Sequence, residues 1–206
     1  LKLGLNYKNM FPCPEAFKKF CEPTRYAESD DPRIIKLARK ITKKDKTPKQ
    51  AARSIFKWVR DNYLWDIKPI VGAKKLLERK EKKALCTDKT NLFIALCRAV
   101  GIPARYVLAD CWLKIRDKEL PRKSKHIYAE VWTGKEWEVA DPSFGKGSEK
   151  LFQICVFGKP SWTRAVHKKR MRSLSPLLVF IVNLIMKYSS FSRVVREEMR
   201  KVGYGK

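Results

Sequence analysis

Apolar residues recur every three or four positions in two stretches of the chain, the spacing of one face of an α-helix. The first stretch follows Asp31-Pro32, a pair that suits an N-cap and a first helical residue. The second follows Thr47-Pro48, which repeats the signal, and ends near Asn62. The pattern therefore predicts two amphipathic helices. Their apolar positions are Ile34, Leu37, Ala38 and Ile41, then Ala51, Ala52, Ile55, Phe56 and Val59.

A third stretch, residues 87–100, is apolar around almost its whole circumference, which indicates a helix buried at the centre of the fold. Gly101 is a natural stop for this helix, and Pro103 prevents its continuation. A shorter helix is predicted around Ala73–Arg79, between the second helix and this one.

The pattern changes after Gly101 to short runs typical of strands. Strands are predicted at 106–109, 126–132 and 136–140, the last two joined by a tight turn at Thr133-Gly134, and at 151–157. Residues 114–125 are predicted to form a charged excursion between strands. Helices return at the end of the chain, from Ser175-Pro176 to about Tyr188 and from Ser192 to near Gly203.

Helices first, an antiparallel sheet and then helices again predict the α+β class. We divide the chain into an N-terminal extension at 1–30, a core at 31–157 and a basic, helical C-terminal extension at 158–206. The longest apolar run, Leu177–Met186, is interrupted by Asn183 and is too short for a bilayer, which needs about 20 residues. No transmembrane helix is therefore predicted, and this run is expected to form a buried or interfacial helix.

The formal net charge of +26 is large for 206 residues. It has two interpretations: solvated helix faces that keep the protein soluble, or a footprint for nucleic acid, anionic lipid or an acidic partner. The first is favoured, because no helix-turn-helix, zinc-finger or RNA-recognition motif accompanies the charge. If polyanions bind weakly, the best candidate is Lys159–Arg172, which has six Lys and Arg residues, no acid, and Trp162 for stacking.

Six cysteines and two histidines show no zinc-ligand spacing, so we predict no metal and no cofactor. Cys97 and Cys155 lie in apolar runs and are expected to pack as small hydrophobic residues. Cys13 and Cys21 could form a disulfide. No secretory signal precedes them, however, so reduced cysteines and a cytoplasmic location are the favoured expectation.

Cys86 is placed at the start of the buried helix, where free N–H groups and the helix dipole stabilise a thiolate. Asp88 would oppose this with its own negative charge, or it could simply favour the first helical turn. His167 stands among cations and is expected at the surface, which leaves His126 as the candidate general base.

His126 and Asp141 are equally far from the predicted turn at Thr133-Gly134. A hairpin that reverses at this turn sets the two residues directly opposite each other and on the same face, with Cβ atoms about 5 Å apart. We therefore expect an imidazole–carboxylate hydrogen bond that orients the ring for work on the thiol.

The segment from Asp31 to Gly145 resembles the catalytic core of the transglutaminase-like superfamily of cysteine acyltransferases and peptidases. This resemblance implies a papain-like core with Cys86 as nucleophile, His126 as base and Asp141 as its orienting partner. The motifs that carry it are Asp30-Asp31-Pro32, Ala52-Arg53-Ser54-Ile55-Phe56-Lys57-Trp58-Val59, Cys86-x-Asp88, the block from Ala95 through Gly101-Ile102-Pro103-Ala104-Arg105 to Val107, His126, and Asp141-Pro142-Ser143.

Two departures from the family pattern bear on function. Leu85 replaces a usual glycine and is expected to narrow the approach to the thiol or alter the helix start, and Thr87 replaces the tryptophan of animal transglutaminases. Protein cross-linking is therefore not the first inference. We predict thiol-dependent acyl transfer on a protein or peptide amide through a thioester, with Tyr63 or Trp65 as a possible second oxyanion donor. The alternative is a catalytically weak or inactive basic scaffold that binds nucleic acid or anionic membrane.

Overall fold

The computed structural model describes residues 10–115, 118–144, 156–158 and 166–188, together with Glu197. The predicted helix at 192–203 and most of the predicted strand at 151–157 lie outside these residues. The helices are α1 (Pro32–Thr42), α2 (Pro48–Asn62), α3 (Ala73–Glu78), α4 (Cys86–Ala99) and α5 (Pro176–Tyr188). The strands are β1 (Leu64–Trp65), β2 (Lys83–Ala84), β3 (Ala104–Ile115), β4 (Lys118–Trp132), β5 (Trp137–Asp141), β6 (Val156–Gly158) and β7 (Val166–Met171).

The first two helices begin where their capping residues predict. The Asp31 carboxylate accepts a hydrogen bond from the Arg33 N–H at 2.9 Å, in front of Pro32. Thr47 and Gln50 form a reciprocal capping box at the start of α2, with each side chain accepting from the other residue's backbone N–H. These caps fix where each helix begins and so which face it turns to the core.

The sheet has five antiparallel strands in the order β6-β5-β4-β3-β7, and β1 and β2 form a separate parallel pair. Helix α4 packs against β3, β4 and the three helices that precede it in the chain. Every residue of α4 from Thr87 to Arg98 is buried, as the all-round apolar pattern predicts. The α+β class and the central position of the Cys86 helix are therefore correct.

The predicted charged excursion at 114–125 is wrong. Instead, β3 and β4 pair along almost their whole length, with a register shift between Trp112 and Lys114, and extend as a two-stranded ribbon. Charged side chains do not prevent this, because a ladder is made by backbone N–H and C=O groups.

The segment after residue 157 was predicted to be helical, but it also contains a strand, because β7 pairs with β3 at the sheet edge. Glu130 of β4 ties this part of the sheet together by ion pairs to Arg105 at 2.6 Å and to Arg170 at 2.9 Å. Of the predicted polyanion-binding run, Lys168 and Lys169 are exposed. Polyanion binding itself stays a prediction.

Two buried cations fasten α4. The Lys89 ammonium donates to the carbonyls of Arg60 and Tyr63, at 3.2 and 2.7 Å. Arg98 is 2% exposed and donates to the carbonyls of Ala104, Glu22 and Arg172. Because a buried charge is tolerated only when it is hydrogen-bonded, these contacts hold both ends of the helix in place.

Cys13 and Cys21 form a disulfide, which corrects the expectation that both are reduced. The bridge closes a short 3-10 helix, Glu15–Phe20, onto the end of the sheet. There Phe17 contacts Trp132 and Trp137, with ring centroids 4.7 and 5.2 Å apart. The cytoplasmic location, which was expected together with reduced cysteines, stays a prediction.

Candidate active site

Cys86 is the first residue of α4 and is half-buried, with a free thiol. Leu85 precedes it in an extended conformation, at φ −74° and ψ 162°, that any residue adopts easily. Leucine therefore replaces glycine here without strain in the backbone. Leu85 is one of the residues that line the cleft with Cys86, and the narrowed approach to the thiol stays a prediction.

Asp88 closes the first turn of α4. Its carboxylate accepts from the Leu85 N–H at 3.1 Å and from the Val71 N–H at 2.8 Å, and it pairs with Arg79 at 3.2 Å. Burial raises the pKa of Asp88 to about 6, against the opposing pull of these hydrogen bonds and of the Arg79 charge. Of the two roles considered for Asp88, the structure favours the helix start, because these donors surround the carboxylate.

His126 of β4 and Asp141 of β5 are in contact, with Nε2 of the imidazole 2.6 Å from Oδ2 of the carboxylate. The predicted hydrogen bond is present, but the predicted register is wrong. The ladder pairs Ala129 with Ala140 and Trp132 with Trp137, which sets Asp141 diagonal to His126 rather than opposite it. The two residues still share a face, because the register differs from the predicted one by two positions on the same strand.

The hairpin turn explains the difference. The turn is not the two-residue Thr133-Gly134 turn but a longer one, closed by Thr133, whose N–H and hydroxyl both donate to the Glu136 carbonyl, at 3.0 and 3.1 Å. Gly134 has φ +99°, a conformation that favours glycine.

His126 is 5% exposed and lines the same cleft as Cys86. Burial alone would lower the pKa of His126, but the Asp141 charge and hydrogen bond, together with Cys86, raise this pKa well above its ordinary value. Burial likewise acts to raise the pKa of Asp141, and the His126 charge outweighs it and holds that pKa below its usual range. The arrangement favours an imidazolium between two groups that can carry negative charge.

Two positioning residues were not identified from the sequence. Ser143 is fully buried, and its N–H and hydroxyl both donate to Oδ1 of Asp141, leaving Oδ2 for His126. Thr90, one helical turn after Cys86, donates to the carbonyl of Ile127 at 3.2 Å. Thr90 thus ties the thiol-bearing turn of α4 to the strand residue next to His126. Pro142, which directly follows β5, gives no hint of these contacts, and a hydroxyl residue in a buried segment leaves no periodic signal in the sequence.

A cavity of about 380 Å³ opens over Cys86 and His126. Its walls are mostly apolar and come from the loop after β1, from β3 and from α5. The lining includes Trp65, Ile67, Leu108, Phe144, Leu178, Val182 and Met186. Helix α5 therefore forms one wall of the cleft, a role that its apolar sequence did not reveal.

Asn183, the polar residue that interrupts the apolar run of α5, fixes this helix to the cleft. Its side chain accepts from the Ile70 N–H at 2.7 Å and donates to the Ile70 carbonyl at 3.3 Å. This two-point contact with one backbone unit sets the rotation of α5 about its axis.

The two suggested oxyanion donors have different surroundings. The Tyr63 hydroxyl is buried and donates to the Leu76 carbonyl at 3.3 Å, whereas Trp65 lines the cleft beside Cys86.

Two other residues considered from the sequence are Cys97 and His167. Cys97 is fully buried, and burial raises the pKa of its thiol well above the ordinary value. The side chain of His167 lies outside the described part of the chain. Among the residues that the structure describes, no three or more His, Cys, Asp or Glu side chains form a group that could hold a metal ion.

Comparison with known proteins places the chain in a family. The model of the transglutaminase-like superfamily matches residues 35–142, just over half of the chain and the part that carries Cys86, His126 and Asp141. An uncharacterized protein of Haemophilus influenzae is 29% identical over 124 residues, which are 58% of this chain and 32% of that protein. The chain thus spans about a third of the length of this relative.

Two solved structures are similar to the fold. The first, of a candidate cysteine protease from Cytophaga hutchinsonii, is 25% identical, covers 76% of this chain and 56% of that one, and has a TM-score of 0.53. The second, the periplasmic domain of TgpA from Pseudomonas aeruginosa, is 17% identical, covers 65% of this chain and 48% of that one, and has a TM-score of 0.49. On the match to residues 35–142, the chain belongs to the transglutaminase-like superfamily.

Proposed function

We propose that this protein catalyses thiol-dependent acyl transfer on an amide, with Cys86 as nucleophile, His126 as general base and acid, and Asp141 as the orienting carboxylate. The observation that carries the proposal is the position of the His126 imidazole, which lies 2.6 Å from a buried carboxylate and lines the same cleft as the thiol at the start of α4. This arrangement supports the three proposed roles.

The reaction begins when the thiol of Cys86 passes its proton to His126, and the resulting thiolate attacks the carbonyl carbon of the substrate amide. The C–N bond then breaks, the leaving amine takes the proton from the imidazolium, and the acyl group remains on sulfur as a thioester. Water, or a second amine, attacks the thioester while His126 accepts its proton. The C–S bond breaks, the acid or amide product leaves, and the Cys86 thiolate beside the His126 imidazolium is restored. The backbone N–H of Cys86 is one donor for the oxyanion, because it lies at the helix start.

Hydrolysis of a peptide amide is the form of the reaction that we favour. The similar structure from Cytophaga hutchinsonii is described as a candidate cysteine protease, which supports this choice. The cleft supports a substrate with an apolar side chain near the scissile bond, because most of the residues that line it are apolar.

Selective alkylation tests the assignment of the nucleophile. Iodoacetamide should label Cys86 rapidly below neutral pH, because a neighbouring imidazolium stabilises a thiolate. Cys97 is a built-in control, since it is fully buried in the same helix and should remain unlabelled while the protein is folded. Slow labelling of Cys86 with the pH profile of an ordinary thiol would contradict the proposal.

Replacement of the thiol tests the reaction itself. Cys86→Ala should abolish hydrolysis of fluorogenic peptides that carry an apolar residue before the scissile amide, without a change in the circular dichroism spectrum or the melting temperature. Cys97→Ala is the matched control and should retain turnover. Full activity in a Cys86→Ala protein purified free of contaminating peptidases would assign the nucleophile elsewhere.

A further inference from the structure

The face of α5 that points away from the cleft is apolar and exposed. Five large hydrophobic side chains, spaced at i, i+3, i+4, i+7 and i+8, form a continuous row along it, and each is between 43% and 66% exposed. We call this row the outer stripe. It consists of Leu177, Phe180, Ile181, Leu184 and Ile185.

The outer stripe cannot turn inward to bury itself. The opposite face of α5 already packs on the protein, with Val179 buried and Leu178, Val182 and Met186 lining the cleft. The double hydrogen bond between Asn183 and Ile70 fixes the helix in that rotation. Exposed apolar rows of this kind normally mark an interaction surface.

Charge indicates which partner the outer stripe suits. Helix α5 contains no acidic residue, and Lys187 lines the same groove as Phe180 and Leu184 at the edge of the stripe. Lys68 lines this groove too, and its ammonium is paired with Glu81 at 2.7 Å. The whole chain carries a formal charge of +26, so a second copy docked on this face would bring strong like charges together. An anionic partner avoids this repulsion.

We propose that the outer stripe docks α5 on an anionic lipid membrane, with the apolar side chains inserted among the acyl chains and the flanking lysines at the headgroups. Among the described residues, no helix is long and apolar enough to cross a membrane. The helix would accordingly lie in the plane of the surface. This docking is independent of the proposed acyl-transfer chemistry.

Flotation with lipid vesicles tests the docking without any measurement of turnover. Vesicles of phosphatidylcholine with phosphatidylserine should carry the full chain upward, and vesicles of phosphatidylcholine alone should carry much less. Phe180→Ser/Ile185→Ser should weaken binding to the mixed vesicles by more than about tenfold, because two of the inserted side chains are lost. Because the net charge is unchanged, electrostatic attraction alone cannot explain such a loss.

Matched lysine variants distinguish attraction of the vesicle by lysines beside the outer stripe from attraction by the net charge of the whole chain. Lys68→Gln/Lys187→Gln removes two charges beside the stripe, and Lys36→Gln/Lys57→Gln removes two exposed charges on α1 and α2. The first pair should weaken vesicle binding several-fold more than the second. Equal binding by the wild type and Phe180→Ser/Ile185→Ser would overturn the proposal. So would a stripe-dependent dimer in sedimentation equilibrium that does not bind vesicles.

Discussion

At the scale of single residues, the charge state of His126 depends on groups that the chain brings from three elements. Its thiol neighbour starts a helix, its carboxylate neighbour ends a strand, and Ser143 holds that carboxylate from the loop beyond. Because burial opposes the imidazolium, the raised pKa of His126 depends on the charge of Asp141.

This dependence predicts the effect of Asp141→Asn on reactivity. The amide keeps the size of the side chain but loses the charge, so burial should lower the pKa of His126 and the imidazolium should be lost at a lower pH. Alkylation of Cys86 by iodoacetamide below neutral pH should then fall by about tenfold, since a nearby opposite charge is worth one to three pKa units. Rates measured across pH, with the labelled cysteine identified by mass spectrometry, give the result.

Lys125→Gln serves as the control for Asp141→Asn, because it changes a charge in the cleft lining without touching the imidazole–carboxylate pair. In Lys125→Gln, the rate of Cys86 alkylation below neutral pH should equal that of the wild type. An unchanged profile in Asp141→Asn itself would show that the carboxylate does not govern the imidazolium.

The three candidate catalytic residues could be predicted from the sequence, because few alternatives existed. The chain has only two histidines, and Cys86 begins a recognisable buried helix. Ser143 and Thr90 could not be found in this way, since a hydroxyl residue in a buried segment has no periodic signal. Their roles arise only when α4, β4 and the loop after β5 come together.

At the scale of elements, one hydrogen bond joins the thiol-bearing turn of α4 to β4. Thr90→Val keeps the side-chain shape but removes the donor to the Ile127 carbonyl. We expect a loss of about 1–2 kcal/mol in the free energy of unfolding, measured by urea denaturation. We also expect a several-fold fall in the alkylation rate of Cys86, because the helix start is no longer held against His126.

Thr42→Val is the matched control for Thr90→Val. Thr42 is equally buried at the end of α1, and its hydroxyl donates to Ala38 within the same helix. It should lower stability to a similar degree but leave the alkylation rate unchanged. If the two variants alter that rate equally, Thr90 has only a structural role.

Elements with a strong local signal were predicted well. The starts of α1, α2 and α5 follow from their capping residues and prolines, and α4 follows from its all-round apolar pattern. The β3–β4 ribbon and β7 were missed because a strand rich in charged residues has no alternating pattern, and only its partner strand specifies it. The hairpin register failed for a related reason, since the turn length was assumed to be two residues.

At the scale of the whole molecule, the positive charge predicts salt-dependent binding to nucleic acid. Lys168 and Lys169 are exposed on β7, whereas Arg170 of the same strand is paired with Glu130. Lys168→Gln/Lys169→Gln should lower the slope of log affinity against log salt for duplex DNA by about two, with little dependence on DNA sequence. Fluorescence anisotropy with a labelled duplex, measured at several salt concentrations, gives the slope for the wild type and for the variant.

Lys36→Gln/Lys57→Gln removes the same amount of charge from α1 and α2. Here the slope should change less, if the β7 lysines form part of the contact. Absence of any interaction at low salt, for the wild type as well, would leave the charge as a solubilising surface.

The disulfide between Cys13 and Cys21 limits the range of redox conditions in which the molecule is both stable and reactive. The proposed reaction needs Cys86 as a free thiol, while the 3-10 helix against Trp132 and Trp137 is closed by an oxidised pair. Strong oxidants should therefore inactivate the protein, and strong reductants should lower its free energy of unfolding by about 2 kcal/mol. In a series of glutathione buffers, Cys86 alkylation should fall at the most oxidising ratios and the Tm should fall at the most reducing ratios. Cys13→Ser/Cys21→Ser should no longer show the fall in Tm under reducing conditions but should keep the fall in alkylation under oxidising conditions.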